Sequence, residues 1–197
     1  MNLKRRSLLL ATPLLLTACD ASRSTFHATD ISKSQLGGDF PPTMLDTAQQ
    51  HRSLDEFKGK LVILFFGYTS CPDICPSALS KYTHLLLSAA LINQTQVIFV
   101  SLDPERDSPE RLQQYLHWFH PSLIGLRADQ RTIDEFTQKY RVISTKKTIS
   151  GAMGYVIDHS AGAYVFDTKG RLRLYLAENS PAEHIVSDLL QLLASDR

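Results

Sequence analysis

The sequence predicts an α/β fold, a single domain in which helices cover a sheet, and three observations favour this class. The segments KLVILFF (60–66) and QVIFVSL (96–102) are continuous apolar runs, typical of strands that are buried on both faces. Segments with helical periodicity lie between and after them. Near the C-terminus, two more apolar runs flank TKG (168–170), a pattern that predicts a β-hairpin. At 197 residues, the chain is long enough for one domain with a substantial core.

The helices are predicted from their starting residues and their apolar stripes. The first begins at Pro76, because the N–H that proline lacks has no partner in the first helical turn. Ser108 is the expected N-cap of the second helix, and Ser180 with Glu183 forms a predicted capping box at the start of the last one. In chain order, the predicted elements are strand 60–66, a helix from Pro76, strand 96–102, helices 107–119 and 132–142, strands 161–167 and 171–177, and helix 180–194. A thioredoxin-like fold fits this order, with a β-α-β unit, an inserted helix and a β-β-α unit.

The N-terminus has the features of an export signal. A basic start, KRRS, precedes the apolar run LLLATPLLLTA (8–18), which is too short to span a bilayer but suits a signal peptide. The segment LTAC (16–19) resembles the lipobox of bacterial lipoproteins, in which the cysteine becomes the lipid-bearing first residue. We therefore predict a signal peptide over 1–18 and lipidation of Cys19, with an ordinary secretory signal as the alternative. Asp20 resembles the residue that retains some lipoproteins in the inner membrane, so we expect the protein on the periplasmic face of a bacterial inner membrane.

A flexible tether is predicted to join the lipidated N-terminus to the folded domain. Residues 19–35 are rich in serine and threonine and have little apolar periodicity. Such a tether would let the domain move beside a partner in the membrane. The folded domain is then expected to occupy residues 36–197.

The charge balance argues against nucleic acid as a partner. The whole chain has 21 basic and 20 acidic residues, and Lys4, Arg5 and Arg6 lie in the segment that we expect to be removed. The remaining 18 basic residues against 20 acidic ones give the mature chain a net charge of about −2. Binding to nucleic acid needs a basic surface, so we do not expect it.

Two cysteines, Cys71 and Cys75, lie four residues apart in a proline-rich loop. Such a pair can form a structural disulfide, act as a redox couple or bind a metal ion. A purely structural disulfide would close a loop of only five residues and would stabilise the fold by about 2 kcal/mol. The pair follows a buried strand and precedes a helix N-terminus, where the peptide dipoles favour a thiolate. A thiolate is both the nucleophile of redox chemistry and a ligand for soft metal ions such as Cu(I) or zinc. The Cys-x3-Cys spacing differs from the Cys-x2-Cys of disulfide oxidoreductases and lets both sulfurs converge on one ion.

Any further metal ligand must be a histidine or a carboxylate, and His159 is the favoured one among seven histidines. It lies in GYVIDHSAGAYVFD, between an apolar run and a predicted strand. In a thioredoxin-like order, the entrance of this strand adjoins the cysteine loop. His117 and His120 are spaced for chelation on one helix and are the alternative, but no cysteine lies near them in sequence. Two thiolates and one imidazole suit Cu(I), which is commonly content with three ligands, whereas structural zinc needs four.

Three motifs in the same order make the chain similar to a known family. GYTSCPDICP, VSLDPERDSPE and YVIDHS together resemble the Sco/SenC family of copper proteins, and the similarity runs from about residue 36 to the C-terminus. The resemblance implies a thioredoxin-like domain that serves assembly of the binuclear copper centre in cytochrome c oxidase. It places the family's copper ligands at Cys71, Cys75 and His159. DEFTQKYRV resembles a family stretch whose acidic residue would be Asp134, although we expect this residue to be an exposed acid of the first helical turn.

The favoured hypothesis is a metallochaperone rather than an enzyme. Cys71, Cys75 and His159 would bind copper, as Cu(I) or Cu(II), and the protein would pass it to the copper-bearing subunit of the oxidase. The lipid anchor would hold the protein on the membrane, and the expected partners include a thiol reductant and other copper chaperones. The alternatives use the two cysteines as a catalytic redox pair, either in a thiol–disulfide oxidoreductase that reduces the oxidase copper-site cysteines or in a thiol peroxidase or redox sensor. The segment DPERD (103–107) is expected to be a solvated loop.

Overall fold

The computed structural model describes residues 25–87 and 91–196, and a mixed β-sheet covered by helices forms its centre. In chain order the elements are β1 Thr29–Asp30, β2 Leu45–Asp46, a 3-10 turn Leu54–Phe57, β3 Leu61–Gly67, α1 Ile74–Leu86, β4 Thr95–Ser101, α2 Pro109–Phe119, β5 Ile124–Arg127, α3 Gln130–Tyr140, β6 Ser144–Thr148, β7 Tyr155–His159, β8 Ala163–Phe166, β9 Leu172–Leu176 and α4 Ala182–Ser195. Over the described residues, seven strands form the central sheet in the order β1-β9-β8-β3-β4-β5-β2, and β6 with β7 forms a separate hairpin. Strands β3, β4 and β5 are parallel, and the other neighbours are antiparallel.

The middle of the sheet is buried on both faces because helices pack on each side. All seven residues of β3 and all seven of β4 are buried. Successive side chains of a strand point to opposite faces of the sheet. The Phe65 ring meets Tyr82 of α1, with ring centroids 5.8 Å apart, whereas the neighbouring Phe66 ring meets Phe136 and Tyr140 of α3. Helices α1 and α3 therefore cover opposite faces, and the chain leaves the carboxyl end of β3 at Gly67 to enter the cysteine loop.

The predicted α/β class is confirmed, and the predicted strands and helices are present with small shifts of their ends. Ser108 caps α2 as expected, because its hydroxyl accepts a hydrogen bond from the backbone N–H of Arg111 (3.2 Å). The capping box predicted from Ser180 and Glu183 is wrong. Pro181 is the N-cap residue of α4, and among the described residues no side chain caps this helix.

Five short strands escape prediction from the sequence, namely β1, β2, β5, β6 and β7. β5 is the parallel neighbour of β4 and contains Gly125, where an added Cβ would lie 2.6 Å from Leu116 of α2, so the strand and helix pack too closely for any side chain. β6 reads STKKT and shows no apolar alternation, because its side chains are largely exposed. β1 and β2 are two residues long. Strands of this kind are fixed by their neighbours in the fold rather than by a local pattern.

The folded domain begins earlier than the predicted boundary at residue 36. The carboxylate of the buried Asp188 in α4 accepts hydrogen bonds from the backbone N–H groups of His27 (3.0 Å) and Ala28 (2.7 Å). β1 then pairs with β9, so this part of the predicted tether is packed on the domain. Residues 1–24, with the predicted signal peptide, the predicted lipid site Cys19 and the first part of the tether, lie outside the described residues. Within the described part of the chain, none of the helices is long and apolar enough to cross a membrane.

Replacing Asp188 by alanine is expected to release the N-terminal segment from α4. Three donors, including the Nδ1–H of His27 (3.0 Å), would lose a buried acceptor, and we expect the free energy of unfolding to fall by about 2 kcal/mol. Hydrogen exchange followed by mass spectrometry should be faster over residues 27–31. The variant Glu183→Ala, an exposed change in the same helix, should leave that exchange unchanged. Unaltered exchange over 27–31 in Asp188→Ala would contradict the packing described above.

Candidate metal centre

Both predicted metal-ligating cysteines lie where β3 passes into α1. The strand ends at Gly67, and the helix begins at Ile74, two residues before the predicted start at Pro76, so Cys75 lies in the first helical turn. Cys75 is fully buried, whereas Cys71 in the preceding loop is half-buried, and both are free thiols. The Cys71 sulfur lies 3.5 Å from the backbone nitrogen of Cys75, whose N–H has no acceptor within the helix. The fold thus presents one sulfur towards the surface and holds the other beneath it.

The imidazole of His159 reaches the cysteines from the end of β7. Its Nε2 lies 3.3 Å from the Cys75 Sγ, and its Nδ1 lies 3.0 Å from the carbonyl oxygen of Ser160. A carbonyl oxygen can only accept a hydrogen bond, so Nδ1 carries a ring proton, which leaves Nε2 as the ring nitrogen that can bind a metal ion. Fixing the ring in this way is typical of histidines that bind metals. The rings of Phe65 and Tyr68 also contact the imidazole, which restricts its rotation.

The three residues predicted as metal ligands are brought together. The two sulfurs and one ring nitrogen all lie within 4.8 Å of one another, and within residues 25–87 and 91–196 this is the single group of three side chains that could hold a metal ion. A groove of about 490 Å³ opens beside them. Its walls are formed by Tyr68, Cys71, Pro72, Asp73, Ile74, Val156, Ile157, Asp158 and His159. A metal ion or a partner's thiol can therefore approach the cluster from the Cys71 side.

The two thiols have very different acidities. The Cys75 thiol hydrogen-bonds to the Cys71 sulfur and lowers the pKa of Cys71 to about 3. Burial opposes this effect, and the backbone N–H groups of Asp73 and Cys75 add to it. The same hydrogen bond raises the pKa of Cys75, and burial and the neighbouring Cys71 charge raise it further. Cys71 is therefore the thiolate of the pair, and Cys75 keeps its proton until a metal ion or another reaction removes it. This pair provides both a soft ligand and a nucleophile.

Gly67 is required for Cys75 to occupy its position, and Gly67→Ala tests this. An added Cβ would lie 2.8 Å from the Cys75 Sγ and 2.9 Å from the Phe99 ring. Because all these groups are buried, we expect the free energy of unfolding to fall by about 1–3 kcal/mol and metal affinity to fall with it. Chemical denaturation and metal titration of the variant measure the two effects. Wild-type values for both would show that the loop can accommodate the extra methyl group.

The segment DPERD (103–107) is not a solvated loop, and this expectation was wrong. The side chains of Asp103 and Asp107 are buried, with 2% and 0% of their surfaces exposed. The Asp107 carboxylate accepts hydrogen bonds from the N–H (3.1 Å) and hydroxyl (2.6 Å) of Thr69 and from the Ser101 hydroxyl (2.6 Å). Asp107 thereby fixes the start of the cysteine loop to the end of β4. The sequence did not predict this role, because the local pattern of a polar loop does not distinguish buried residues from exposed ones.

Neither Asp158, which precedes His159 in the chain, nor the other candidate residues join the cluster. Asp158 forms an ion pair with Lys147 across the hairpin rather than contacting the His159 ring. Asp134 is exposed on α3, as expected, but it lies beyond the first helical turn, where it accepts a hydrogen bond from Gln130 (2.9 Å). His117 and His120 lie at the end of α2, where the described residues supply them with no thiol or third ligand.

The fold and this cluster together define a thioredoxin-like domain that carries two thiols and one imidazole arranged for a soft metal ion. The chain belongs to the SCO1/SenC family, which it matches over residues 28–194.

Sequence and structural similarities agree with this assignment. The chain is 35% identical over 157 residues to the SCO2-like protein of Rickettsia felis, covering 76% of this chain and 73% of that protein. Its structure is similar to that of Bradyrhizobium japonicum ScoI with copper bound (TM-score 0.70, 33% identity, 80% of this chain and 99% of the other). It is also similar to yeast Sco1 with copper bound (TM-score 0.72, 32% identity, 82% of this chain and 90% of the other). The predicted thioredoxin-like fold is confirmed by these Sco structures.

Proposed function

We propose that this protein is a membrane-anchored copper chaperone that delivers copper to the binuclear copper centre of cytochrome c oxidase during assembly. The observation that carries the proposal is the convergence of Cys71, Cys75 and His159 within 4.8 Å. The similar proteins ScoI and Sco1, whose structures contain copper, support copper as the cargo. The role in oxidase assembly rests on membership of the SCO1/SenC family.

The donor atoms fit copper better than other common metal ions. Thiolates and imidazoles are soft or borderline ligands, which suit Cu(I) and also bind Cu(II). A structural zinc site is closed by four protein ligands, and only three donors converge at this site in the described residues. Binding releases the proton of the buried Cys75 thiol, so the apo site exchanges a proton for the metal ion.

The unequal exposure of the ligands suits transfer of the cargo. Cys75 lies at the bottom of the site with its sulfur buried, and Cys71 lies at the rim of the groove. Thiolates of a recipient protein can reach a bound ion from the Cys71 side and replace the ligands one at a time. The ion then moves without passing through solvent, as delivery of a scarce and reactive ion requires.

The location proposed for the protein is the periplasmic face of a bacterial inner membrane. The lipobox-like segment LTAC (16–19) supports cleavage after residue 18 and lipidation of Cys19. In an oxidising compartment, Cys71 and Cys75 would form a disulfide and lose metal binding, so a thiol reductant is an implied partner. Other copper chaperones are proposed as the source of the copper.

A second function, thiol–disulfide exchange, is favoured by the acidities of the cysteines. The accessible Cys71 thiolate could attack a disulfide of the oxidase copper site and form a mixed disulfide, releasing one thiolate of the substrate. Cys75 would then lose its proton and attack Cys71, releasing the second substrate thiolate and leaving a Cys71–Cys75 disulfide. In this role, His159 would modulate the thiols rather than bind metal.

A transfer assay separates the two functions. Copper-loaded protein is mixed with the reduced, copper-free soluble domain of an oxidase copper-bearing subunit, and metal is measured on each protein after separation. A chaperone should transfer copper faster than a small copper chelate does, and His159→Ala should abolish the advantage. If copper moves no faster than from the chelate, delivery is wrong. Reduction of the oxidised recipient by metal-free protein, equally fast in His159→Ala, would instead establish the reductase.

A further inference from the structure

The third ligand of the proposed copper site is carried by a hairpin that stands apart from the central sheet. His159 is the last residue of β7, and in the part of the chain that the structure describes β6 and β7 pair only with each other. No ladder of backbone hydrogen bonds therefore fixes the hairpin to the sheet that carries the cysteine loop. The position of His159 relative to Cys75 therefore depends on the short connection 160–162 to β8 and on side chains that join the hairpin to the rest of the domain.

Arg106 makes several of these contacts. Its Nη1 donates hydrogen bonds to the carbonyl oxygens of Met153 (3.2 Å), in the turn before β7, and of Tyr155 (3.0 Å), the first residue of β7. Its guanidinium carbon lies 3.6 Å from the centroid of the Tyr155 ring, within the range of a cation–π interaction. Its Nε donates to the buried Asp103 carboxylate (2.5 Å), which orients the guanidinium. Arg106 thus contacts both the backbone of the hairpin and the side chain of Tyr155.

Tyr155 completes the contact from the hairpin side. Its hydroxyl donates a hydrogen bond to Asp103 Oδ1 (2.7 Å), the same carboxylate that holds Arg106. The ammonium of Lys146 lies 3.7 Å from the centroid of the Tyr155 ring and pairs with Glu105 (2.6 Å). A single short segment, 103–107, therefore binds the hairpin through Arg106, Asp103 and Glu105.

The same segment also holds the cysteine loop. Asp107, the residue after Arg106, accepts the hydrogen bonds from Thr69 described above. The hairpin and the cysteine loop also touch directly, since the Tyr68 hydroxyl accepts a hydrogen bond from the Ile157 N–H (3.1 Å). Segment 103–107 thus connects the element that carries His159 with the loop that carries the two thiols.

We propose that Arg106 is a positioning residue that clamps the β6–β7 hairpin and so keeps His159 Nε2 beside the Cys75 sulfur. Arg106 does not touch the metal ligands themselves; it acts through Met153 and Tyr155 on the hairpin. The inference rests on the proposed function in one respect, that the three clustered ligands bind copper. Its consequence is that the clamp determines whether copper is held by three ligands or by the two sulfurs alone.

Arg106→Met in the full-length protein tests the clamp, because methionine keeps an apolar side chain but removes every donor and the charge. The affinity for Cu(I), measured by competition with a chromophoric chelator, should fall about 10-fold. This is the lower end of the roughly 10–100-fold loss that follows when a residue supporting a metal ligand is removed. Arg106→Lys keeps the charge and should recover part of the loss. Lys147→Met removes a cation of the same hairpin that faces Asp158, and it should change the affinity less than 2-fold.

A double-variant comparison separates positioning from a general structural effect. If Arg106 acts through His159, Arg106→Met should lower the Cu(I) affinity about 10-fold in the wild type but not in His159→Ala. With Cu(II), the nitrogen couplings of the imidazole in the electron paramagnetic resonance spectrum should weaken in Arg106→Met. An equal loss of affinity in both backgrounds, or unchanged nitrogen couplings, would overturn the positioning role.

The metal-free protein provides a test that does not depend on copper. Hydrogen exchange over residues 144–159 should become faster in Arg106→Met and should be unchanged in Lys147→Met. Unaltered exchange in Arg106→Met would overturn the clamp even if copper binds as proposed. If the wild-type protein bound no copper, the proposed function would fail, while faster exchange in the variant would still support the clamp on the hairpin.

Discussion

Replacing Cys75 by serine is expected to lower the affinity for Cu(I) by well over 100-fold. Loss of an outer contact of a metal site typically costs about 10–100-fold in affinity, and this substitution removes a ligand itself. Cys75 is the central ligand of the cluster, because its sulfur lies 3.3 Å from His159 Nε2 and hydrogen-bonds to the Cys71 sulfur. A serine hydroxyl is a harder donor, does not ionise near neutral pH and binds Cu(I) poorly.

The affinity is measured by competition against a chelator of known strength under reducing conditions. Serine nearly matches the size of cysteine and can hydrogen-bond to His159, so folding should be largely preserved, and circular dichroism checks this. Ser77→Ala, an exposed change in the same helical turn, serves as the control and should bind Cu(I) like the wild type. An affinity for Cu(I) within 10-fold of the wild type in Cys75→Ser would remove the buried sulfur from the site.

The parts of the fold that the sequence predicts are those with a pattern confined to one segment. The seven-residue strands β3 and β4 are buried throughout and largely apolar because both of their faces are covered. A run of this kind can be recognised without knowing which elements pack against it. The cysteine pair was placed correctly at a strand-to-helix junction for the same reason. His159 was found by its position in the order of elements, since a thioredoxin-like order brings this strand entrance to the cysteine loop.

The parts that were missed depend on contacts between distant segments. Asp103 and Asp107 read as polar loop residues, and only the fold shows that their carboxylates are buried and accept hydrogen bonds from Thr69 and Tyr155. The serine- and threonine-rich segment before residue 36 reads as a tether, yet Asp188, more than 150 residues away, binds its backbone. The hairpin that carries His159 has a polar first strand, and its second strand shows only a short apolar run (155–157), so the pattern of apolar residues did not predict the pair.

Replacing Asp107 by alanine is expected to destabilise the metal-free protein by about 3 kcal/mol. The N–H and hydroxyl of Thr69 and the hydroxyl of Ser101 would all lose their acceptor, and each buried donor left unpaired costs about 1–3 kcal/mol. The sum is reduced because the hydroxyls can rotate towards other acceptors. Burial raises the pKa of Asp107, which shows that holding its charge inside has a cost, and removing that charge offsets a further part of the loss.

Urea denaturation of Asp107→Ala and Asp107→Asn measures the effect, with the exposed Asp134→Ala as a matched control that should change the free energy of unfolding by less than about 0.5 kcal/mol. The asparagine variant keeps one acceptor oxygen and should lose roughly half as much stability as the alanine variant. Because Thr69 lies two residues before Cys71, freeing it should also loosen the cysteine loop and lower the affinity for copper. If Asp107→Ala were as stable as Asp134→Ala, the Asp107 carboxylate would not be what fixes the cysteine loop to β4. Segment 103–107 would then hold the β6–β7 hairpin but not the cysteine loop.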